Sequence, residues 1–251
     1  MHDSLSSDIH AYLRALAGDR ALRVGPFVLL LDADDDGPYF NYAVPDDGVE
    51  PTAAEVDALI TAFTERGRRP RLEYLAALCP RLESALTAAT FVVEDRLPVL
   101  SCAPADAVVG TVAGPVDAVL ADTDQQLWQV ARVQNEAYGA PEAAEHDVAR
   151  LRRTLERGGL VALATDTTSG LGVGAGQCTP PHRGVSELAA VGVREGYRRR
   201  GVAAAVAGLL TRACPTVGIT TPFLMAAGPA EERIYHRIGY RRRAESLHIS
   251  R

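Results

Sequence analysis

Short apolar runs alternate along this chain with longer segments in which apolar residues recur every third or fourth position. The first pattern is typical of strands and the second of helices. Val148, Leu151 and Leu155, for example, mark one face of a helix that ends before Gly158 and Gly159. From residue 128 onward the pattern predicts, in order, helices Gln129–Tyr138 and Glu142–Arg157, strands Leu160–Thr165, Leu171–Cys178 and Val185–Val193, helix Ala203–Cys214, strand Phe223–Ala226, helix Glu231–Ile238 and strand Tyr240–Ile249. This alternation indicates an α/β fold.

The first hundred residues give a similar but shorter series. It predicts a hairpin of Phe27–Asp32 and Tyr39–Val44, helix Thr52–Arg66, strand Leu72–Leu75, helix Arg81–Ala88, and two short strands at Phe91–Val93 and Val99–Ser101. Thr52 followed by Glu55 is the signature of a capping box at a helix start. We therefore expect two domains, residues 1–105 and 106–251. The small and apolar residues of Pro104–Asp124 predict a crossing segment that packs on a sheet.

Composition narrows the class of protein. The 251 residues carry a net charge of −6, which argues against nucleic acid as a main partner. No apolar run approaches the ~20 residues of a membrane span, and the start lacks the basic then apolar order of a signal peptide. The four cysteines are Cys79, Cys102, Cys178 and Cys214. Their scatter predicts reduced thiols in a cytoplasmic protein, with neither a zinc site nor a disulfide framework.

The most informative segment joins the apolar run Leu188–Val193 to an arginine turn, Arg198-Arg-Arg-Gly201-Val-Ala203. An alanine-rich helical segment begins directly after it. The order strand, tight turn and helix start exposes unbonded backbone N–H groups and the positive end of the helix dipole, a seat for phosphate. A glycine there lets a ligand approach the backbone, because it has no Cβ.

This spacing resembles the acyl-CoA signature of the GNAT N-acetyltransferases, Gln/Arg-x-x-Gly-x-Gly/Ala. The resemblance implies a GNAT fold, a mixed and mostly antiparallel sheet with helices on both faces. It also implies acetyl-CoA as co-substrate and no metal. The cofactor-binding residues implied are Val191, Gly192 and Val193 for the pantetheine arm, and Arg198, Arg199, Arg200, Gly201, Val202, Ala203 and Ala204 for the pyrophosphate.

Two catalytic residues follow from the same resemblance. Glu187, just before the strand that leads to the loop, matches the general base of many family members, a role that a desolvated carboxylate suits. Tyr235 matches the tyrosine that protonates the departing thiolate, in a helix ending in Tyr-x-x-x-Gly239-Tyr. The alternatives are a solvent-facing strand-end glutamate and an ordinary half-buried tyrosine. Two positions depart from the family pattern: Gly228 stands where many relatives have an asparagine that touches the pantetheine arm, and Glu231 stands where the family has a small residue.

The first domain resembles a GNAT unit that has lost its cofactor loop. Between Val44 and Thr52 stands Pro-Asp-Asp-Gly-Val-Glu-Pro, with neither arginine nor the glycine spacing, and its charge would repel pyrophosphate. We interpret the chain as a tandem protein with a degenerate N-terminal half. An unrelated small α+β lobe is the alternative.

The resemblance leaves the acceptor open. We expect direct transfer of the acetyl group to the primary amine of a small molecule, in a pocket built by Asn135–Pro141 and Arg242–Ser246. Residues 31–50 carry seven acidic and no basic side chains, which either favour a cationic amine or form solvated surface. A homodimer is a further expected partner. Two other functions compete, a non-catalytic acyl-CoA sensor and a scaffold or dimerisation module with a vestigial site.

Two other motifs are set aside. Gly170-Leu-Gly-Val-Gly-Ala-Gly176 resembles a dinucleotide fingerprint, but Pro180 and Pro181 follow where that fingerprint needs a helix. Asp32-Ala-Asp-Asp-Asp-Gly37 matches the opening of an EF-hand loop, but the closing glutamate falls on Ala43. We predict a glycine-rich strand for the first and a hairpin turn for the second.

Overall fold

A computed structural model describes residues 4–18, 21–32 and 37–251. The chain divides into two compact units, the first formed by Met1–Val99 with Arg243–Arg251 and the second by Leu100–Arg242. These limits differ from the division at 105/106 predicted above. The main difference is the last strand, whose residues pair with the first unit. The assignment of function to either half remains a prediction.

The first unit is a sheet with three helices. Its elements are α1 Ser4–Ala15, β1 Leu22–Val24, β2 Phe27–Leu30, β3 Tyr42–Pro45, α2 Ala53–Thr64, β4 Arg71–Leu75, α3 Leu82–Ala88, β5 Val92–Ser101 and, from the chain's far end, β11 Arg241–Ser250. The strand order is β1-β2-β3-β4-β11-β5. β3 and β4 are parallel and are joined through α2, whereas β2 with β3 and β4 with β11 are antiparallel.

Most of the sequence prediction for this unit is confirmed. The hairpin pairs Phe27 with Pro45 and Leu30 with Tyr42, while its turn at 33–36 lies outside the described residues. The two strands expected around Phe91 and Val99 are one continuous strand, β5, in which the charged residues Glu94, Asp95 and Arg96 are all exposed, so both faces of the strand reach solvent there. Helix α1 and strand β1 were not predicted.

The second unit contains β6 Val116–Leu120, α4 Asp124–Tyr138, α5 Glu145–Glu156, β7 Leu160–Asp166, β8 Gly172–Cys178, β9 Val185–Val193, α6 Val202–Ala213, β10 Thr221–Met225 and α7 Pro229–Ile238. Its strand order is β10-β9-β8-β7-β6. All neighbours are antiparallel except β9 and β10. The mixed, mostly antiparallel α/β sheet expected from the sequence is confirmed.

Helices cover both faces of this second sheet. Along β7, Ala162 and Ala164 belong to the core that α6 closes, whereas Val161 and Leu163 belong to the core beneath α4 and α5. Alternate residues of a strand point to opposite faces, so one apolar strand serves both cores. None of the helices in the described ranges combines the length and the apolar content that a membrane span requires.

The glycine run of β8 is explained by how closely α6 packs on the sheet. A Cβ added at Gly176 would lie 3.0 Å from Cγ1 of Val206, and one added at Gly174 would overlap Cγ1 of Val202. Gly174 and Gly176 therefore leave no room for a side chain on the face that α6 covers. The run is a strand, as predicted.

The crossing segment also packs against α6. A Cβ at Gly208 would lie 2.6 Å from the carbonyl oxygen of Val108. Residues Val116–Leu120 then join the sheet as the edge strand β6, beside β7. The segment therefore forms a strap over α6 at residues 108–112 and the edge strand of the sheet at residues 116–120.

Candidate functional site

The site is built on a strand, helix, strand crossover in the second unit. β9 leads through a loop into α6, which returns the chain to β10, parallel to β9. Two residues of the loop are left-handed, Arg199 at φ 63° and Gly201 at φ 89°. The positive φ angles let the chain turn sharply from the strand into the helix.

The N-terminus of α6 has no side-chain cap. Gly201 is its N-cap residue, and no side-chain hydrogen bond is made there. The first bond within the helix runs from the N–H of Ala205 to the carbonyl of Gly201, at 3.0 Å. The N–H groups of Val202, Ala203 and Ala204 precede it and have no partner within the helix. They are available to bind an anion.

The loop is held in place from several sides. Ala113 donates its N–H to the carbonyl of Arg200 at 2.9 Å, and any Cβ at Gly201 would overlap the carbonyl of Thr111. Tyr197 donates its hydroxyl to Asp166 Oδ2 at 2.7 Å. The strap thus fixes the loop that carries the helix start.

The arginine side chains of the loop point outward. Arg198, Arg199 and Arg200 are exposed. Arg198 donates from Nε to the carbonyl of Val193 at 3.1 Å, and the guanidinium of Arg200 lies 5.0 Å from the ring centre of Tyr197. They add positive charge at the helix start.

The parallel ladder of β9 and β10 is short. It pairs Val185 with Thr221 and ends at the pair Glu187 with Phe223. On the other side of β9, the register with β8 shifts opposite Ala190, which has φ 53°. This β-bulge lies beyond Glu187, the last residue of β9 that pairs with β10.

The residues predicted to bind pantetheine line this part of β9. The carbonyl of Val191 accepts a hydrogen bond from the hydroxyl of Tyr138 at 3.3 Å. Gly192 is required by packing, because a Cβ there would lie 2.7 Å from Cβ of Ala137 in α4. Val191 and Val193 pack partly against the α6 core.

Glu187 lies at the last pair of the parallel ladder and is half-buried. Its main chain is fixed by Thr179, whose N–H donates to the carbonyl of Glu187 at 2.9 Å and whose Oγ1 accepts from its N–H at 3.1 Å. Leu188 points into the α6 core, so Glu187 projects from the opposite face. The backbone is held rigidly where the two strands begin to separate.

Tyr235 is half-buried on α7 and meets Tyr240 edge to face, with ring centres 5.9 Å apart. Burial raises the pKa of the Tyr235 phenol above its ordinary value, and the neighbouring Tyr138 phenol and Glu231 carboxylate raise it further. The group therefore remains a protonated O–H donor at neutral pH.

Tyr138 lies within the segment Asn135–Pro141 predicted for the acceptor pocket, but its contact with β9 was not predicted. Its hydroxyl joins α4 to the bulged part of β9, and its phenol is electrostatically coupled to Tyr235. The signal was weak: Tyr138 is the last residue of α4, before the left-handed cap Gly139. A helix-end tyrosine is ordinarily surface.

The structure also shows what replaces the family pattern at α7. Gly228 is the N-cap of this helix, and Oε2 of Glu231 accepts from the N–H of Ala227 at 2.9 Å. The Glu231 carboxylate thus fixes the residue that precedes the helix cap. Among the described residues, no group of His, Cys, Asp and Glu side chains is placed to hold a metal ion.

The segments expected to form the acceptor pocket differ in setting. Asn135 donates from Nδ2 to the carbonyl of Pro141 at 3.0 Å and to Asp147 Oδ2 at 3.2 Å, which orders the α4–α5 connection. Residues 243–246, by contrast, belong to the first unit. The acceptor pocket remains a prediction.

Sequence comparison identifies residues 126–240 with the model of the acetyltransferase (GNAT) family. The match begins in α4, ends at Tyr240 and includes the whole crossover described above. No curated protein sequence matches the chain.

Solved structures share the fold. A GCN5-related N-acetyltransferase from Kribbella flavida has a TM-score of 0.79 at 23% identity, with 98% of this chain and 95% of that chain covered. One from Sphaerobacter thermophilus has a TM-score of 0.68 at 14% identity, with 99% and 91% covered. A tandem GNAT protein from the clavulanic acid biosynthesis pathway has a TM-score of 0.64 at 12% identity, with 91% and 80% covered.

Proposed function

We propose that this protein is a GNAT N-acetyltransferase that moves the acetyl group of acetyl-CoA directly to the primary amine of a small molecule, as the family match of residues 126–240 supports. The observation that carries the proposal is the uncapped start of α6, which follows a strand that separates from its parallel neighbour. Both features lie within the matched segment.

The residues present fit acetyl-CoA as co-substrate. The N–H groups of residues 202–204 would receive the pyrophosphate. Gly201 is required at the cap because the carbonyl of Thr111 occupies the space that a Cβ would need. Arg198, Arg199 and Arg200 would add charge-assisted contacts from the exposed side. The backbone of Val191–Val193 would receive the pantetheine arm, after Tyr138 releases the carbonyl of Val191.

Glu187 and Tyr235 supply the proton transfers in this proposal. The amine nitrogen attacks the thioester carbonyl carbon, the C–S bond breaks, and an amide forms. The proton lost by the amine goes to the Glu187 carboxylate, directly or through water. Tyr235, protonated because its pKa is raised, gives its hydroxyl proton to the departing sulfur.

We place the reaction in the cytoplasm, following the scattered cysteine pattern of the sequence. The proposal also includes a small amine as acceptor and a homodimer as the assembly.

The test places a charge at the helix start. Ala203→Glu sets a carboxylate in the first turn of α6, where the helix dipole favours it by ~0.3–1 kcal/mol, so folding should be unharmed. The same carboxylate should repel pyrophosphate. We expect acetyl-CoA to raise the melting temperature of the wild type and of the matched Ala203→Gln variant, and to leave Ala203→Glu unchanged.

Ligand at a hundred times Kd stabilises the folded state by ~2.7 kcal/mol, an easily measured shift. An equal shift in all three proteins would reject the cofactor site proposed here. No shift in any of them would favour the scaffold alternative.

A further inference from the structure

A cavity of about 500 Å³ lies in the second unit, between the first half of α4 and the turn that joins β7 to β8. Gln125, Trp128, Gln129 and Arg132 line it from the helix, and Arg194 and residues 169–172 line it from the sheet. Arg194 stands seven residues along β9 from Glu187. At the strand rise this is ~20 Å, too far to take part in the acetyl transfer.

The wall on the helix side combines a flat ring with a cation. The guanidinium of Arg132 lies 5.8 Å from the ring centre of Trp128, and one helical turn separates the two residues. Trp128 is half-buried and packs against the core beneath α4, which holds its indole in place. Because the guanidinium lies over the indole ring, a planar ligand stacked on that face would have to displace it and would then meet its charge beside the ring.

The opposite wall is rigid. Arg194 donates from Nε to the carbonyl of Gly172 at 2.7 Å and is ion-paired with Glu136. A Cβ at Gly172 would lie 2.8 Å from Oε1 of Gln129, so the turn approaches the helix as closely as glycine permits. Leu171, 42% exposed, adds an apolar edge at the mouth.

The charge of this lining is unusual for the chain. In the part of the chain that the structure describes, the lining residues include two arginines and no carboxylate, while the protein as a whole carries a net charge of −6. Because Arg194 is ion-paired with Glu136, the attraction of this site for an anion rests on Arg132. Two glutamine amides add donors and acceptors beside it.

We propose that this cavity binds a small aromatic anion, a flat ring bearing a carboxylate or phosphate, at a site separate from that of acyl-CoA. The ring stacks on Trp128, the anion pairs with Arg132, and Gln125 and Gln129 set the orientation. The site does not depend on the acetyl-transfer proposal, because none of these residues belongs to that machinery.

The chain reports on this site itself, since Trp128 is its only tryptophan. Benzoate and phenyl phosphate should change Trp128 fluorescence saturably, with Kd on the order of 1 mM for ligands of this size. Cyclohexanecarboxylate, charged but not flat, and benzamide, flat but uncharged, should bind at least tenfold more weakly. Arg132→Gln should weaken benzoate at least tenfold, whereas the matched exposed Arg153→Gln on α5 should not.

Two further arms keep the result decisive. Trp128→Phe, followed by calorimetry because the fluorophore is gone, should retain benzoate binding at reduced affinity. Adenosine 3′,5′-bisphosphate, the nucleotide end of CoA, and acetyl-CoA itself should leave the affinity for benzoate unchanged. Displacement of benzoate by either would make the cavity part of the acyl-CoA site, and no saturable change up to tens of millimolar would mean that it binds no aromatic anion; each overturns the proposal.

Discussion

The two units contain the same crossover, a strand joined through a helix to its parallel neighbour, and they finish the helix start in opposite ways. In the first unit, Thr52 caps α2: the N–H of Glu55 donates to Thr52 Oγ1 at 3.3 Å, and the N–H of Thr52 donates to Glu55 Oε2 at 2.7 Å. In the second unit, the cap of α6 is Gly201, with no side-chain bond. One topology thus gives a closed helix start or an anion site, according to the cap residue.

The charges of the two loops differ as well. Three carboxylates follow β3, and each has a cationic partner in the first unit: Asp46 with Arg23, Asp47 with Arg14, and Glu50 with Arg81. The loop after β9 carries three exposed arginines instead. Because these three carboxylates already have cationic partners, this loop attracts a cationic acceptor less than its sequence implies.

The largest effect should come from removing the proposed base of the second unit. Glu187→Gln should lower kcat by about 10²–10⁴-fold, while acetyl-CoA still raises the melting temperature. Thiol release with an amine acceptor measures the first, and Glu156→Gln, at the end of α5, serves as control. Unchanged turnover would remove Glu187 from the mechanism.

A pair of glycine substitutions compares the two loops directly. Gly201→Ala meets both a left-handed backbone and the carbonyl of Thr111, so it should cost about 4 kcal/mol of unfolding free energy. Gly48→Ala, at φ 72° with open space around it, should cost only about 1 kcal/mol. Urea unfolding measures both. Equal costs would show that the strap does not hold the second loop.

Acid should affect the anchoring of the first loop. Asp47 Oδ1 lies 2.7 Å from Nδ1 of the buried His10. Burial, with the charge of Arg14, lowers the pKa of His10 to about 4 against the opposing effect of Asp47. The native state therefore resists protonation of His10, whereas the unfolded chain binds the proton with the ordinary pKa of about 6.5. The free energy of unfolding is thus unaffected by His10 above pH 6.5 and falls by ~3 kcal/mol in all as the pH falls towards 4.

Between pH 6.5 and pH 4, the free energy of unfolding of the wild type should therefore fall by more than that of His10→Phe, which lacks the titrating imidazole. Parallel pH profiles for the two proteins would contradict the assignment to His10.

The smallest effect should come from opening the first helix start. Thr52→Ala should cost about 1 kcal/mol, with Thr61→Ala in the same helix as a matched exposed control. It should not create acetyl-CoA binding, since the acidic loop remains. The measurement compares Thr52→Ala with the double variant Thr52→Ala/Ala203→Glu. A melting-temperature shift with acetyl-CoA that is present in Thr52→Ala and absent in the double variant would locate binding at α6. A shift that survives in the double variant would show that the first unit also binds acetyl-CoA.

The crossover of the second unit was predictable, because a glycine-arginine turn between an apolar strand and an alanine-rich helix has few other structures. The start of α4 could have been found too. Thr123 and Gln126 form a capping box, a signature readable in the sequence, yet the helix was predicted only from Gln129.

The strap over α6 was beyond the sequence. Its fit depends on Gly201 and Gly208 meeting the carbonyls of Thr111 and Val108, a match between backbone atoms far apart in the chain. The pairing of β11 with β4 likewise depends on register across about 170 residues, as in Leu247 with Tyr74. Local patterns carry no information about such pairings.

The position of β11 at the end of this sequence also determines when the first unit can complete its sheet during synthesis. Residues 243–251 complete the first unit, but the ribosome makes them only after residues 100–242 have been synthesised. At typical elongation rates, that interval is on the order of ten seconds. During synthesis, the N-terminal part of the chain therefore waits with the β4 edge of its sheet unpaired, although domains near the N-terminus ordinarily fold first. For those seconds the nascent chain depends on chaperones, or on its own acidic surface, to keep that edge from pairing with another chain.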